Sequence, residues 1–385
     1  MYKYRFFDIF GFTQKVFVLT ATLLILLLVF TAYLIFLVWL NIRWRLIKPQ
    51  KFQCHEKLTV VVPFRNEQEN LADLVAALSR QTASNFEVIF VNDNSTDNSL
   101  KVLENALLTV SFPFKILNLT TATGKKAALA LGIESSHSEI ILTTDADCLA
   151  KPEWVSIIRA SFADETQLVS GPVVLSGTSA FQQLQQIEFL SLIGTGAAMI
   201  AMGKPTMANG ANLAFRKSAY VKVGGYKGSE ATPSGDDEFL LHKIHKAYPN
   251  GVRFNKSEKA VVTTAAVSDW ETFKNQRKRW ASKWRLGARW STMLTAILVG
   301  LTQVAQLAIY LSLVFGWLPL QVSVAALALK VLIEFVFLQR ISQDLTGKGL
   351  SLWRFMISFI FYPFYALYFA LVANFGNYQW KGRTF

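Results

Sequence analysis

Short clusters of acidic, amide and basic side chains carry the chemical information in this chain. Pro63, Phe64, Arg65, Asn66 and Glu67 follow one β-rich apolar run, Asn92 and Asp93 follow a second, and Asp145, Ala146 and Asp147 close a later one. A carboxylate such as Asp93, set directly at a strand end, can accept from a base N–H or a ribose hydroxyl. Ser95 and Asp97 beside it are explained by helix capping, worth about 1 kcal/mol per cap. Asp145 and Asp147 stand at i and i+2, so on an extended chain both face one ligand. Two like charges so placed repel unless something positive lies between them, and a hard divalent cation bridging a diphosphate meets that need. A bare DxD is a weak motif, strengthened here by its place at the end of a buried strand. Lys125 and Lys126 open the helical stretch Ala127 to Ile133, where charge and helix N-terminal N–H groups can hold phosphate, although a solvated pair explains them equally well. Thr123 to Lys126 do not make a P-loop, because the earlier Gly is missing and Lys126 takes the Ser/Thr position. Asp236, Asp237 and Glu238 open an amphipathic helix that needs only one acidic cap, which points to a general-base role for one of them.

The elements that must position these groups are legible as alternation. Strands are expected over Leu58 to Val62, Phe86 to Val91, Phe114 to Leu119 and Glu139 to Thr144, with helical patterns between them. That order implies an α/β fold with a mainly parallel sheet, and such sheets bind ligands beyond the carboxyl ends of their strands. Cys54 and Cys148 lack CxxC partners and read as buried small apolar residues. His55, His137, His242 and His245 fit no zinc signature and read as surface positions.

Hydrophobic residues make up 52% of the 385 residues and charged residues 17%, which excludes disorder and small disulfide scaffolds. Val16 to Leu40 carries no charge and exceeds the roughly 20 residues that cross a bilayer. Trp39, Arg43, Trp44, Arg45 and Lys48 then form an interfacial anchor instead of a signal-peptide cleavage site. Ser291 to Leu338, broken at Gly316 to Pro319, and Phe355 to Phe375 add three more spans, for an expected total of four. The net charge is +13, and seven basic residues stand just before the second span, Lys274, Arg277, Lys278, Arg279, Lys283, Arg285 and Arg289, without an acidic residue among them. The positive-inside bias then places the middle of the chain in the cytoplasm and both termini outside. Lys381 and Arg383 oppose that parity, and Pro363 leaves room for a re-entrant or interfacial last segment. A basic segment abutting a span is explained by membrane and diphosphate, so no nucleic-acid partner is expected. Lys330 and Glu334, at i,i+4 inside a span, are either an intramembrane functional pair or a packing pair that neutralises itself.

Taken in order, PFRNE, VNDNSTD, GKKAAL, TDADC, NGANLAFRK, GDDEFLL and QRKRW closely resemble the membrane-integrated family 2 glycosyltransferases with a GT-A nucleotide-sugar domain. The match covers roughly residues 55 to 290. The resemblance implies that Pro63, Asn66, Glu67 and Asp93 line the nucleotide pocket, with Asp93 at the base and Asn92 departing from the common Asp-Asp pair. It further implies Lys125 at the donor phosphate, Asp145 and Asp147 as the DxD with Asp147 the metal ligand, and Asn212 and Arg216 flanking donor sugar and acceptor. Asp237 matches the catalytic aspartate of the ED motif, with Asp236 replacing its Glu. Gln276, Arg279 and Trp280 match QxxRW, the first two facing the diphosphate and the indole stacking against the acceptor. The expected layout is an N-terminal membrane helix and anchor (1–50), a GT-A domain (51–267), an amphipathic interface helix (268–290) and three membrane segments with a tail (291–385). Gln182 to Leu192 resembles the interface helix that precedes the acceptor site, and the Trp380 to Arg383 tail resembles lipid-acceptor members. The implied reaction is inverting sugar transfer from a nucleotide-diphosphate sugar, UDP-linked, with Mg2+ or Mn2+ as cofactor and a multi-pass inner-membrane setting. The acceptor is expected to be a membrane lipid or lipid-linked glycan, four spans being few for a polymer channel. A processive polysaccharide synthase and a non-catalytic nucleotide sensor are the alternatives.

Overall fold

The computed structural model describes residues 3–49, 52, 54, 56–120, 123–229, 235–282, 290–372, 379–380 and 383–384. A long helix α1 (Lys3–Leu46) precedes β1 (Leu58–Phe64), α2 (Leu71–Ser79), β2 (Phe86–Asn92), α3 (Ser99–Leu107), β3 (Phe114–Asn118), α4 (Lys125–Ser135) and β4 (Ile140–Thr143). These strands fall within two residues of their expected limits, because β-branched apolar runs bounded by polar turns have few other folds open to them. β5 (Cys148–Ala150), α5 (Trp154–Arg159), β6 (Leu168–Ser170) and β7 (Val173–Ser176) lead to α6 (Ala180–Ala201). Then come β8 (Leu213–Arg216), α7 (Lys217–Lys222), α8 (Asp236–Ala247), β9 (Val252–Phe254) and β10 (Val262–Ala265). The chain continues through α9 (Trp270–Ser282), α10 (Trp290–Phe315), α11 (Leu320–Thr346), α12 (Leu352–Val372) and the two-residue strands β11 (Gln379–Trp380) and β12 (Arg383–Thr384).

The main sheet has the order β3-β2-β1-β4-β8-β6-β9, and β8 is its antiparallel member. β1 and β2 are buried along their whole length, as apolar strands covered on both faces must be. Parallel pairing of β1 with β2 and β4 brings the ends of these three strands to one edge, where Glu67, Asp93 and Asp145 follow. A second sheet, β5-β10-β7, sits beside it.

Among the described residues, five helices are long and apolar enough to cross a membrane. Four answer to the expected spans, and α6 is the addition. Most of α6 is buried. It begins with a capping box between Ser179 and Gln182, and the side-chain amides of Gln182 and Gln185 donate to the carbonyls of Ala266 and Val267. It is a shelf between the sheets and the apolar helices, on which α1, α11 and α12 pack. The turn between α10 and α11 lies where Gly and Pro predict it, with Gly316 at φ +68°. A polar joint fixes the apolar helices to the α/β part: Trp44 Nε1 donates to Asp344 Oδ2 at 2.7 Å, and Lys256 pairs with Asp344 at 3.3 Å.

The last apolar helix, α12, has the length and apolarity of the expected span. It starts beside the end of α11, which the Trp44–Asp344–Lys256 joint anchors to the α/β part. Its far end packs Tyr365 and Phe369 against Phe273 of α9, and β11 lies against α9 as well. Both ends of α12 therefore meet elements attached to the α/β part. Within α12, Pro363 has no N–H to give to the carbonyl of Phe359, one helical turn back. Gln306 Nε2 at 3.1 Å and Tyr310 Oη at 3.4 Å, both on α10, donate to that carbonyl instead. Gln306→Leu together with Tyr310→Phe, which removes both donors, should lower stability by about 1–3 kcal/mol, the cost of an unsatisfied buried carbonyl, read as a fall in Tm of the detergent-solubilised chain. Pro363→Ala combined with them should recover most of the loss, since the alanine N–H closes the helical bond.

Candidate active site

The strand-end groups converge. Asp93 is 2% exposed, and its Oδ1 accepts from the Gly124 N–H at 2.9 Å. Arg65 Nη1 donates to the Asp93 carbonyl at 2.8 Å and so ties the loop after β1 to the loop after β2. Glu67 is buried beside them, its Oε2 accepting from Asn70 Nδ2 at 2.7 Å. Asn92 uses both halves of its amide, donating to Asn118 Oδ1 at 3.0 Å and accepting from the Ser95 N–H at 2.9 Å.

The DxD pair lies in the tight turn between β4 and β5 and not on an extended run, and both residues line the same two cavities. Lys125 Nζ stands 2.5 Å from Asp145 Oδ1. Asp237 Oδ2 accepts from the Gly210 N–H at 3.2 Å and its Oδ1 from the Glu238 N–H at 2.8 Å. A carboxylate has about four acceptor sites, so these bonds aim Asp237 without exhausting it. A Cβ built on Gly210 would lie 3.1 Å from Asp236 Oδ2 and 3.5 Å from Lys125 Nζ, so the DxD lysine and the α8 carboxylates share one small volume. Burial disfavours the Lys125 ammonium, yet the charges of Asp145, Asp236 and Asp237 outweigh it and hold Lys125 protonated well above the ordinary lysine range. Burial also pushes the neighbouring Cys148 thiol up, helped by Asp147 and Asp145, leaving it an inert packing residue.

Two cavities open on this cluster. A small one of about 90 Å³ is lined by Pro63, Glu67, Asp93, Lys125, Asp145, Asp147 and Arg279, among others. A large one of about 1150 Å³ shares Lys125, Asp145, Asp147 and Arg279 and adds Asp236, Asp237, Gln276 and Trp280. It continues among the apolar helices, where Tyr33, Gln303, Phe337 and Tyr362 line it. Lys330 and Glu334 also face it, paired at 2.7 Å, with Tyr33 donating to Glu334 at 2.5 Å and the Phe359 ring 4.7 Å from the ammonium. Both sequence readings of this pair describe it in part: it neutralises itself, and it lines the cavity.

Several expected site residues lie elsewhere. Asn212 is fully buried away from both cavities, accepting from Trp154 Nε1 and donating to the carbonyls of Pro172 and Ala260 at 2.8 Å. Arg216, at the end of β8, pairs bidentately with Glu56 at 2.8 Å and donates to the Thr166 carbonyl, so its guanidinium locks the sheet edge. Asn66 takes a left-handed conformation at φ 51°, and its Oδ1 accepts from the Thr96 N–H, shaping the loop without lining either cavity. His242 and His245 are half-buried on α8 instead of on the surface, and His242 lines the large cavity. His55, Lys283, Arg285, Arg289, Lys381 and most of the residues of the tail lie outside the described residues. Sequence reasoning missed Glu188, whose carboxylate holds Arg277 and accepts from Tyr365 Oη at 2.8 Å.

Residues 59–224 match the model of the glycosyl transferase family 2. They form a family 2 glycosyltransferase domain. Its fold is GT-A: the chain aligns over 86% of its length with the whole of the mannosyltransferase PcManGT from Pyrobaculum calidifontis, solved with GDP-Man and Mn2+, at a TM-score of 0.57 and 20% identity. Among curated relatives, an undecaprenyl-phosphate 4-deoxy-4-formamido-L-arabinose transferase of Pseudomonas fluorescens is 34% identical over 111 residues, 28% of this chain and 32% of its own. A poly-beta-1,6-N-acetyl-D-glucosamine synthase of Staphylococcus aureus is 26% identical over 230 residues, 59% of this chain and 54% of its own. The chain thus spans between a third and about half of these relatives' lengths.

The glycosyltransferase domain has the donor set a hard divalent ion takes. Asp145 and Asp147 offer carboxylate oxygens, and a cationic group, Lys125, already sits against one of them. Among the described residues no third acidic or histidine side chain joins them, so a bound Mg2+ or Mn2+ would take its remaining oxygen ligands from phosphate and water. Lys125→Met should leave Asp145, Asp236 and Asp237 unbalanced and cost about 1–3 kcal/mol, measured as Tm without divalent ions. A lysine raised above its ordinary value contributes fully below about pH 10, so this difference should hold steady from about pH 6 to 9. Added Mn2+ should narrow it. An unchanged Tm would mean that Lys125 is not the counter-charge.

Proposed function

We propose that the chain is an inverting glycosyltransferase that moves a sugar from a nucleoside diphosphate sugar, a UDP-sugar first, to a hydroxyl of a membrane lipid or lipid-linked acceptor. The observation that carries this reading is a single cavity that runs from the strand-end carboxylates to the apolar helices. A donor nucleoside fits against Pro63, Glu67 and Asp93, with its diphosphate at Lys125 and Arg279. Arginine's fork suits phosphate oxygens, and Arg279 faces both cavities. An Mg2+ or Mn2+ ion held by Asp147 and Asp145 would supply neutralising charge to the departing diphosphate.

The chain's own groups then act in a defined order. Asp237 takes the proton of the acceptor hydroxyl, whose oxygen forms the new bond to the anomeric carbon from the face opposite the diphosphate. The bond from that carbon to the diphosphate oxygen breaks, and configuration inverts. Asp236, buried next to Asp237, holds the Lys125 ammonium at the phosphate side. Trp280, lining the cavity next to Gln276, offers an apolar ring face to the acceptor. The domain faces the cytoplasm of an inner membrane in this reading, in keeping with the basic residues around α9.

The length of the product is the open alternative. A cavity continuing past Lys330 and Glu334, and similarity to a polysaccharide synthase over more than half the chain, favour a processive enzyme as the second reading.

Asp237→Asn should lower turnover by about 10²–10⁴-fold while nucleotide binding persists. Asp147→Ala should weaken divalent-ion dependence, and chelation should abolish transfer by the parent chain. A radiolabelled donor and chromatography of organic and aqueous extracts read both effects and the product. Full turnover by Asp237→Asn would reject Asp237 as the base, and tight nucleotide binding with no transfer or hydrolysis of any donor would reject catalysis.

A further inference from the structure

Arg277 stands between the glutamine and arginine of QRKRW, and no role was assigned to it. Its side chain is 5% exposed, with all three guanidinium nitrogens engaged. Nη2 pairs with Glu188 on α6, Nε donates to Tyr365 Oη on α12 at 2.6 Å, and Nη1 donates to Gln276 Oε1 at 2.7 Å. The ring centres of Phe273 and Trp280, both on α9, lie 4.3 Å and 4.2 Å from the guanidinium carbon. Tyr365 Oη also donates to the other oxygen of Glu188, which closes a ring of three residues from three helices.

Stability alone does not account for this arrangement. A buried ion pair gains little over well-packed apolar residues of the same volume, and its attested use is to fix one register among several. Glu188, Gln276, Arg277, Trp280 and Tyr365 all line the large cavity. The bond from Arg277 turns the amide of Gln276 so that its oxygen faces the guanidinium, and stacking holds the Trp280 indole at one angle. A lysine could reach one of these partners and could not serve all of them, since an ammonium lacks the planar fork.

We infer that Arg277 is a positioning residue that, through Glu188 and Tyr365, sets the Trp280 face on which the acceptor rests. This rests on the glycosyltransferase reading and adds to it a residue that governs acceptor affinity. The full chain in lipid nanodiscs provides the test, with UDP-N-acetylglucosamine and GDP-mannose as donors and undecaprenyl phosphate and a β-1,6-linked N-acetylglucosamine trimer as acceptor probes. Arg277→Lys and Glu188→Gln should raise acceptor KM about tenfold or more, and Tyr365→Phe several-fold. The Kd of the matching nucleotide should stay within about twofold. Trp280→Phe should raise acceptor KM in the parent chain and add little in the Arg277→Lys background, because residues that act through one another are not additive. Additive effects, or acceptor KM and nucleotide Kd worsening together, would overturn the inference while leaving catalysis intact. A parent chain that binds nucleotide tightly yet neither transfers nor hydrolyses any nucleoside diphosphate sugar would overturn the glycosyltransferase reading, and this one with it.

Discussion

Mutual repulsion among carboxylates is the constraint around which this site is built. Asp145, Asp236 and Asp237 come from two distant parts of the chain, and Lys125 is the cation placed among them. Its burial would be costly without those charges, and their proximity would be costly without it. The parallel pairing of β1, β2 and β4 delivers Glu67, Asp93 and Asp145 to one edge, while α4 and α8 begin there and bring Lys125 and Asp237. The same excess of negative charge suits a donor that arrives with its own divalent ion and a diphosphate.

The apolar helices are joined to the domain by polar contacts that have to be satisfied out of water. Trp44, Asp344 and Lys256 make such a joint, and Gln306 with the Phe359 carbonyl ties two of the apolar helices, α10 and α12, to each other. Both are expensive to leave unpaired, so both hold the helices in a single arrangement. That fixed arrangement lets one cavity reach from the carboxylates to Lys330 and Glu334.

The legible part of the fold was the part written in local pattern. β-branched runs ending in Asn92, Asp93 and Asp145 announced strands and their ligand-facing ends, and the motif series placed Lys125, Asp147, Asp237, Arg279 and Trp280 around one cavity. Motif position does not say which way a side chain points. Asn212 and Arg216 sit in a motif yet turn inward to carbonyls and to Glu56, because β8 runs antiparallel between β4 and β6 and presents them to the sheet's interior and edge. The Glu188–Arg277–Tyr365 ring was not legible, since its members are 89 and 88 positions apart and are related by helix packing alone. α12 has the apolar length of a span, and that pattern does not reveal that its far end packs against α9.

A structure of the full chain with UDP and Mn2+ tests the central claim most directly. The uracil should lie against Glu67 and Asp93, the metal should sit at Asp147 bound to the diphosphate, and Lys125 should have swung from Asp145 toward phosphate. Nucleotide bound away from the ends of β1, β2 and β4, or metal bound without any contact to Asp145 or Asp147, would contradict the account.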